Sequence, residues 1–133
     1  MAIPTLFLAA LACSGDPTGS GNPDGVAAVV TSPSIALGAE IPVVLQNRST
    51  RVLTVGPLGC SAALERHDPA TGEWQRLVSL RSCINHQTRV GQGSNFGFNV
   101  PSPDATGRYR VFFSASPDGG AVVDVRSNTF EVT

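Results

Sequence analysis

The sequence predicts an all-β fold, a sandwich of about seven to nine short antiparallel strands behind an N-terminal export segment. Three observations lead there. The chain carries 14 Gly and 10 Pro in 133 residues, and the runs between them are short and rich in β-branched or aromatic side chains, a pattern of strands and turns. The stretch Pro101–Ser114 sends a Pro/Asp/Gly corner directly into the strand-like run Tyr109–Ala115, because Pro cannot donate to a central ladder and Asp and Gly supply turn chemistry. Finally, no helical periodicity persists long enough to outweigh these signals.

The N-terminus comes first. Met1–Ala12 is apolar and ends in small residues before Cys13, too short to span a bilayer and typical of the hydrophobic core of a secretory signal. Ala10-Leu11-Ala12-Cys13 resembles the lipobox of bacterial lipoproteins. That resemblance implies cleavage before Cys13, acylation of its sulfur, and a lipid anchor on a bacterial membrane at the cell envelope. Ser14–Gly25 offers nothing to bury and reads as a flexible tether with a root-mean-square span of ~20 Å. The expected organisation is therefore a signal over residues 1–12, an anchor and tether over 13–25, and a folded domain over 26–133.

Within the domain, Val26–Thr31 reads as a first strand buried on both faces, broken by Ser32-Pro33-Ser34, where the chain is placed to change sheets. Ile41–Gln46 follows as the second strand and is closed by Asn47-Arg48-Ser49. That triplet matches a glycosylation acceptor, but Asn47 is read as a turn residue. Val52–Val55 and Ala62–His67 are the next strands, separated by Gly56–Cys60. Asp68–Gly72 turns the chain into Glu73–Val78, with Trp74, Arg76 and Val78 on one side, so a hairpin is expected. Thr88–Val90 is a short edge strand. Asn95–Val100 alternates Phe96, Phe98 and Val100 with small or polar partners. Along Tyr109–Ala115, Tyr109, Val111 and Phe113 share one face, and Arg110, Phe112 and Ser114 share the other. Val122–Val125 and Thr129–Val132 complete the count.

Asp104, Gly107 and Tyr109 together resemble the tyrosine corner of immunoglobulin-like sandwiches, in which a Tyr near the start of a strand bonds back to upstream backbone. Asp104 lies five residues before Tyr109, one more than that motif usually has. The order of Val43–Ser49, Leu64–Trp74, Val90–Ser94, Gly107–Arg110 and Ser127–Val132 is similar to that of bacterial immunoglobulin-like domains in exported proteins. The resemblance implies a fold and a compartment and no single activity.

Cys60 and Cys83 form an even pair once Cys13 is set aside, and a disulfide clipping the Trp74 hairpin is expected in an oxidising compartment. Its ~3 kcal/mol would come from closing the loop. A sharper alternative is a metal site from Cys60, His67, Cys83 and His86, since Cys83 and His86 have ligand-like spacing. No cofactor is expected. Gly-x-Ser-x-Gly is absent, and Gly91-Gln92-Gly93 lacks the strand-to-helix context of a phosphate loop.

Glu65, Asp68 and Glu73 flank one hairpin and read as solvated charges, ahead of a general acid–base pair or a calcium site; Arg48, Arg51, Arg108 and Arg110, on exposed turns and strand faces, read as ordinary surface ahead of a site for an acidic partner. A net charge of −1, with every one of the nine basic residues an Arg, argues against a nucleic-acid surface. The expected role is a non-catalytic, membrane-tethered envelope domain that binds a protein or polysaccharide. A second reading is a small protease inhibitor presenting Leu58–Ser61 or Leu80–Asn85, and a third is metal handling.

Overall fold

Alternating apolar residues bury one face of each main strand, and two sheets close over the core so formed. The computed structural model describes residues 22–77 and 86–133. Among these residues the strands are β1 (Val26–Val29), β2 (Ser34–Ile35), β3 (Ile41–Asn47), β4 (Leu53–Val55), β5 (Ala63–His67), β6 (Trp74–Arg76), β7 (Thr88–Val90), β8 (Ser94–Val100), β9 (Gly107–Pro117), β10 (Val123–Arg126) and β11 (Phe130–Val132), with one helical turn, α1 (Leu58–Ser61).

The smaller sheet has the order β1-β3-β8, antiparallel throughout. The larger sheet is built on β9. Tyr109 pairs with Phe130 of β11 on one side and with Arg66 of β5 on the other; further along, Phe112 pairs with both Arg126 of β10 and Ala63 of β5. β6 lies beyond β5, β4 joins the far end of β9, and β7 pairs with β4. β2 runs parallel to β11. The break at Ser32-Pro33 thus carries the chain from β1 in one sheet to β2 in the other.

Ile41, Val43 and Leu45 of β3 face Tyr109, Val111, Phe113 and Ala115 of β9 across a core in which all seven are at most 2% exposed. Burial of each such aliphatic or aromatic side chain is worth ~1.5–3 kcal/mol. Phe98 of β8 meets Phe113 edge to face at 5.7 Å, which joins the two sheets through an aromatic contact.

A side-chain to backbone bond ties down the corner before β9. Tyr109 donates its hydroxyl to the carbonyl of Ala105 at 2.7 Å, four residues upstream. Asp104 is exposed in the bend, so the acceptor is one residue closer to Tyr109 than an Asp104-based corner would put it. Gly107 has φ +148°, a backbone conformation that favours glycine, and a Cβ there would come within 3.1 Å of the Arg66 side chain, which would have to shift slightly.

Several expectations are corrected. Eleven strands among the described residues exceed the seven to nine expected; the one not named from sequence is β2, a two-residue segment. One pair is parallel. β1 is buried on one face only, its Ala27 and Val29 being half-buried, because the outer side of the smaller sheet is uncovered by any described element. The Gly56–Cys60 segment runs into the helical turn α1 and is not extended, and Leu58 is only 2% exposed. Val78, the second candidate loop Leu80–Asn85, Cys83, and the whole signal and lipobox through Cys13 lie outside the described residues.

The end of the expected tether belongs to the fold. The side-chain amide of Asn22 accepts from the backbone N–H of Arg126 and donates to its carbonyl, both at 2.7 Å. Asn128 repeats the device: its amide accepts from the N–H of Val30 at 2.8 Å and donates to the Val30 carbonyl at 2.9 Å. Two side-chain amides therefore stand in for ladder rungs between the edge of β1 and the β10–β11 strand, closing one side of the sandwich. Gly25 lies where a Cβ would meet the Arg48–Ser49 backbone at 2.8–2.9 Å, and its carbonyl accepts from Arg48 N–H.

Candidate functional site

The outward residues of β5, β6, β9 and β10 gather around a single carboxylate. Register explains how. Glu65 lies opposite Arg76 on β6 and opposite Arg110 on β9, while Phe112, two residues further along β9, lies opposite Arg126 on β10. Because alternate residues share a face, these side chains emerge together on the outer surface of the larger sheet.

Glu65 is only 4% exposed. One carboxylate oxygen, Oε1, accepts from Arg110 Nε at 2.7 Å and from Arg126 Nε at 3.2 Å. The other, Oε2, accepts from Arg76 Nη2 at 3.1 Å and Nε at 3.4 Å. Burial pushes the Glu65 carboxyl up, but the hydrogen bonds from Arg110 and Arg76 and the charges of Arg110 and Arg126 outweigh it, so its pKa lies below the ordinary glutamate value. The group is ionised at neutral pH and hydrogen-bonded on both oxygens, which makes it a clasp across four strands and unsuited to accepting or donating a proton.

Aromatic rings complete the face. The Arg76 guanidinium lies 3.7 Å from the centre of the Phe112 ring and that of Arg126 4.8 Å from it, while Arg110 lies 4.1 Å from the Trp74 ring. A cation over a ring face at these distances is attracted by the ring quadrupole. Trp74 also meets His67 edge on, with centroids 5.0 Å apart. Arg76 is the most open of the three arginines, its side chain 51% exposed against 23% for Arg126 and 15% for Arg110.

Of the residues singled out from sequence, Glu65 and Arg110 need correction. They are a buried ion cluster and not solvated surface, because the hairpin register delivers a counter-charge from each side. Asp68 stays in its turn and accepts from the Ala70 N–H, and Glu73 is exposed. Arg108 pairs with Glu131 at 2.8 Å on the surface, Arg51 reaches the Asp118 carbonyl, and Arg48 is exposed. Arg126 and the role of Phe112 were missed. The signal was present in the outward phase of Arg110 and Phe112 and of Trp74 and Arg76; what was absent was the knowledge that those two faces adjoin.

Asn47 also does more than turn the chain. Fully buried, it donates to the carbonyls of Arg51, Val90 and Gly91 and accepts from the Ser49 N–H and hydroxyl. This role is structural, and it leaves no side-chain nitrogen for a glycan.

The candidate metal set is dispersed or outside view. Cys60 is half-buried in α1, His67 packs on Trp74, His86 is exposed, and Cys83 lies outside the described residues. Among the described residues no three His, Cys, Asp or Glu side chains are grouped as ligands. A shallow groove of about 440 Å³ runs beside β1 and is lined by residues 22–29 with Arg126 and Asn128; it abuts the clasp through Arg126. Among the described residues no helix is long and apolar enough to cross a membrane.

No protein-family model matches the chain, and no curated protein matches it. Among solved structures, the alkylpurine DNA glycosylase AlkC of Pseudomonas fluorescens, bound to DNA containing an abasic site analog, aligns with 81% of this chain and 30% of its own at 17% identity and a TM-score of 0.38. The partners expected from sequence were a membrane reached through a lipid on Cys13 and an envelope protein or polysaccharide, with nucleic acid excluded. That expectation is withdrawn: no finding supports a lipid anchor or an envelope partner. A likeness this slight carries no argument about this chain.

Proposed function

We propose that this chain is a non-catalytic, immunoglobulin-like interaction module of an exported protein, and that it binds through the outer face of its larger sheet. The observation that carries this reading is the Glu65 clasp. It gathers three arginines and two aromatic rings on one sheet face, and its one buried carboxylate is already neutralised. Arg and Trp are enriched where interfaces concentrate their binding energy, whereas catalysis needs a concave site and a group poised to exchange a proton.

The immunoglobulin-like assignment draws on the strand order. A sheet β1-β3-β8 facing a sheet built from β5, β9 and β10–β11 corresponds to the A-B-E and C-F-G arrangement of that architecture, and the Tyr109–Ala105 bond falls at its E–F corner. Export draws on the apolar stretch Met1–Ala12 and on the even pair Cys60 and Cys83, which would be disulfide-bonded in that compartment. Intact mass rising by two protons on reduction is the expected result for that pair.

Photocrosslinking tests the binding face. A benzophenone amino acid replaces Ser114, exposed on the outer face of the larger sheet, or Asn99, exposed on the smaller sheet, in the full chain expressed in its own cells. Adducts from position 114 and few from position 99 are expected. Equal yields from both positions, or none from 114, would overturn the reading.

A further inference from the structure

We infer that the Glu65 cluster is an unfinished charge network, and that an acidic segment of a partner protein completes it by placing carboxylates on Arg76, Arg110 and Arg126. This deepens the reading above and rests on it, since it takes the same sheet face as the binding face.

Charge is the first support. Three guanidiniums surround one carboxylate, an imbalance of two positive charges on a chain whose net charge is −1. A clasp serving stability alone needs one guanidinium, or two, to neutralise Glu65. Desolvating further cations beside them costs energy that their mutual repulsion increases.

Donor capacity is the second. Each guanidinium presents five N–H groups in a planar fork, but the two oxygens of Glu65 take only four hydrogen bonds from the three arginines together. Arg110 and Arg126 are both held through Nε, so their terminal nitrogens, the pair suited to bidentate carboxylate recognition, remain beyond the bonds to Glu65. Exposed Asp124, two residues before Arg126 on the same face, lowers the surplus without removing it.

Preorganisation is the third. Phe112 and Trp74 hold the guanidiniums against the sheet, so a bound carboxylate meets donors that have already lost most of their rotamer freedom. The positive charge is confined to a few side chains on one sheet face, a footprint that fits a short acidic peptide segment. A phosphate backbone is the competing source of anions, and the experiment separates it.

Trp74 is the chain's single tryptophan and lies under Arg110, so its emission reports on this surface directly. The full chain is titrated with hexaglutamate, with hexaglutamine as the uncharged control and an oligothymidylate as the phosphate alternative. The expected result is a saturable change in Trp74 emission with hexaglutamate and none with hexaglutamine. Arg76→Gln, at the most open of the three arginines, weakens binding about tenfold, with far-UV circular dichroism checking that it folds. Ser114→Glu, exposed on the same face and outside the cluster, weakens it as well through like-charge repulsion.

No saturable change with hexaglutamate, or affinity unaltered by both variants, overturns the acidic-segment assignment; the crosslinking result then decides separately whether this is the binding face. Tighter binding of the oligothymidylate than of hexaglutamate overturns it in favour of a phosphate-bearing partner.

Discussion

Glu65 shows how far one residue's role departs from its composition class. As a glutamate beside a turn it looks solvated; in the fold it is nearly inaccessible and holds four strands together. Removing one partner of a buried ionic network leaves the remaining charges uncompensated, so Glu65→Gln is expected to destabilise the chain by on the order of 3 kcal/mol, read as a fall in the denaturant midpoint. The same group sets an acid limb. Its folded pKa is depressed, so its stabilisation is present above the unfolded glutamate value of about 4.3 and is lost as pH falls through the lower, folded value. Melting followed from pH 7 to pH 2 should show a decline below about pH 4 that is shallower in Glu65→Gln; parallel curves would refute the assignment. Tyr109→Phe is the complementary case. It deletes the 2.7 Å bond to Ala105 while keeping the ring in the core, for an expected cost of about 1–2 kcal/mol by equilibrium unfolding.

At the level of elements, the seam between β1 and β10–β11 is the feature with consequences. β1 is an edge strand, and open edges invite pairing with other chains. Asn128 reaches back to the backbone of Val30 just past β1, and Asn22, just before β1, reaches the backbone of Arg126 on β10, each amide making the donor–acceptor pair that a neighbouring strand would make. Asn128→Ala leaves the Val30 N–H and carbonyl without these partners in a residue that is 2% exposed. The expected outcome is a loss of about 1–3 kcal/mol and faster hydrogen exchange at the Val30 amide, with the β3 and β9 amides little changed; uniform acceleration across all strands would mean that the seam has no local role. Much of the element scale was legible beforehand. β3, β4, β5 and β8 lie within a residue or two of their expected positions, because short runs of strand-forming residues bounded by turn residues mark a strand, and alternation in β4 and β8 marks the inward face. The helical turn at Leu58–Ser61 was not legible, since a four-residue turn has no period to detect. Neither was β2, whose two residues are a strand only because β11 lies beside them.

For the whole molecule, the folded unit begins before the apolar pattern does. A chain starting at Val26 lacks the Asn22 bonds to Arg126 and the Gly25 contact with Arg48, so it should melt several degrees below one starting at Asn22, by ~1–2 kcal/mol of lost hydrogen bonding; equal melting temperatures would return residues 22–25 to the tether. Polar residues such as Asn22 give no hydrophobic signal, which is why this boundary could not be read from sequence. The all-β class and the phase of the long strands were set locally, because propensity, alternation and turn chemistry act over a few neighbouring residues. The tertiary structure alone decided which faces adjoin, and so which charges meet. Glu65, Arg76, Arg110 and Arg126 come from four strands spread over 61 residues of sequence, and only the pairing of those strands in one sheet turns four ordinary surface charges into a clasp and a candidate binding face.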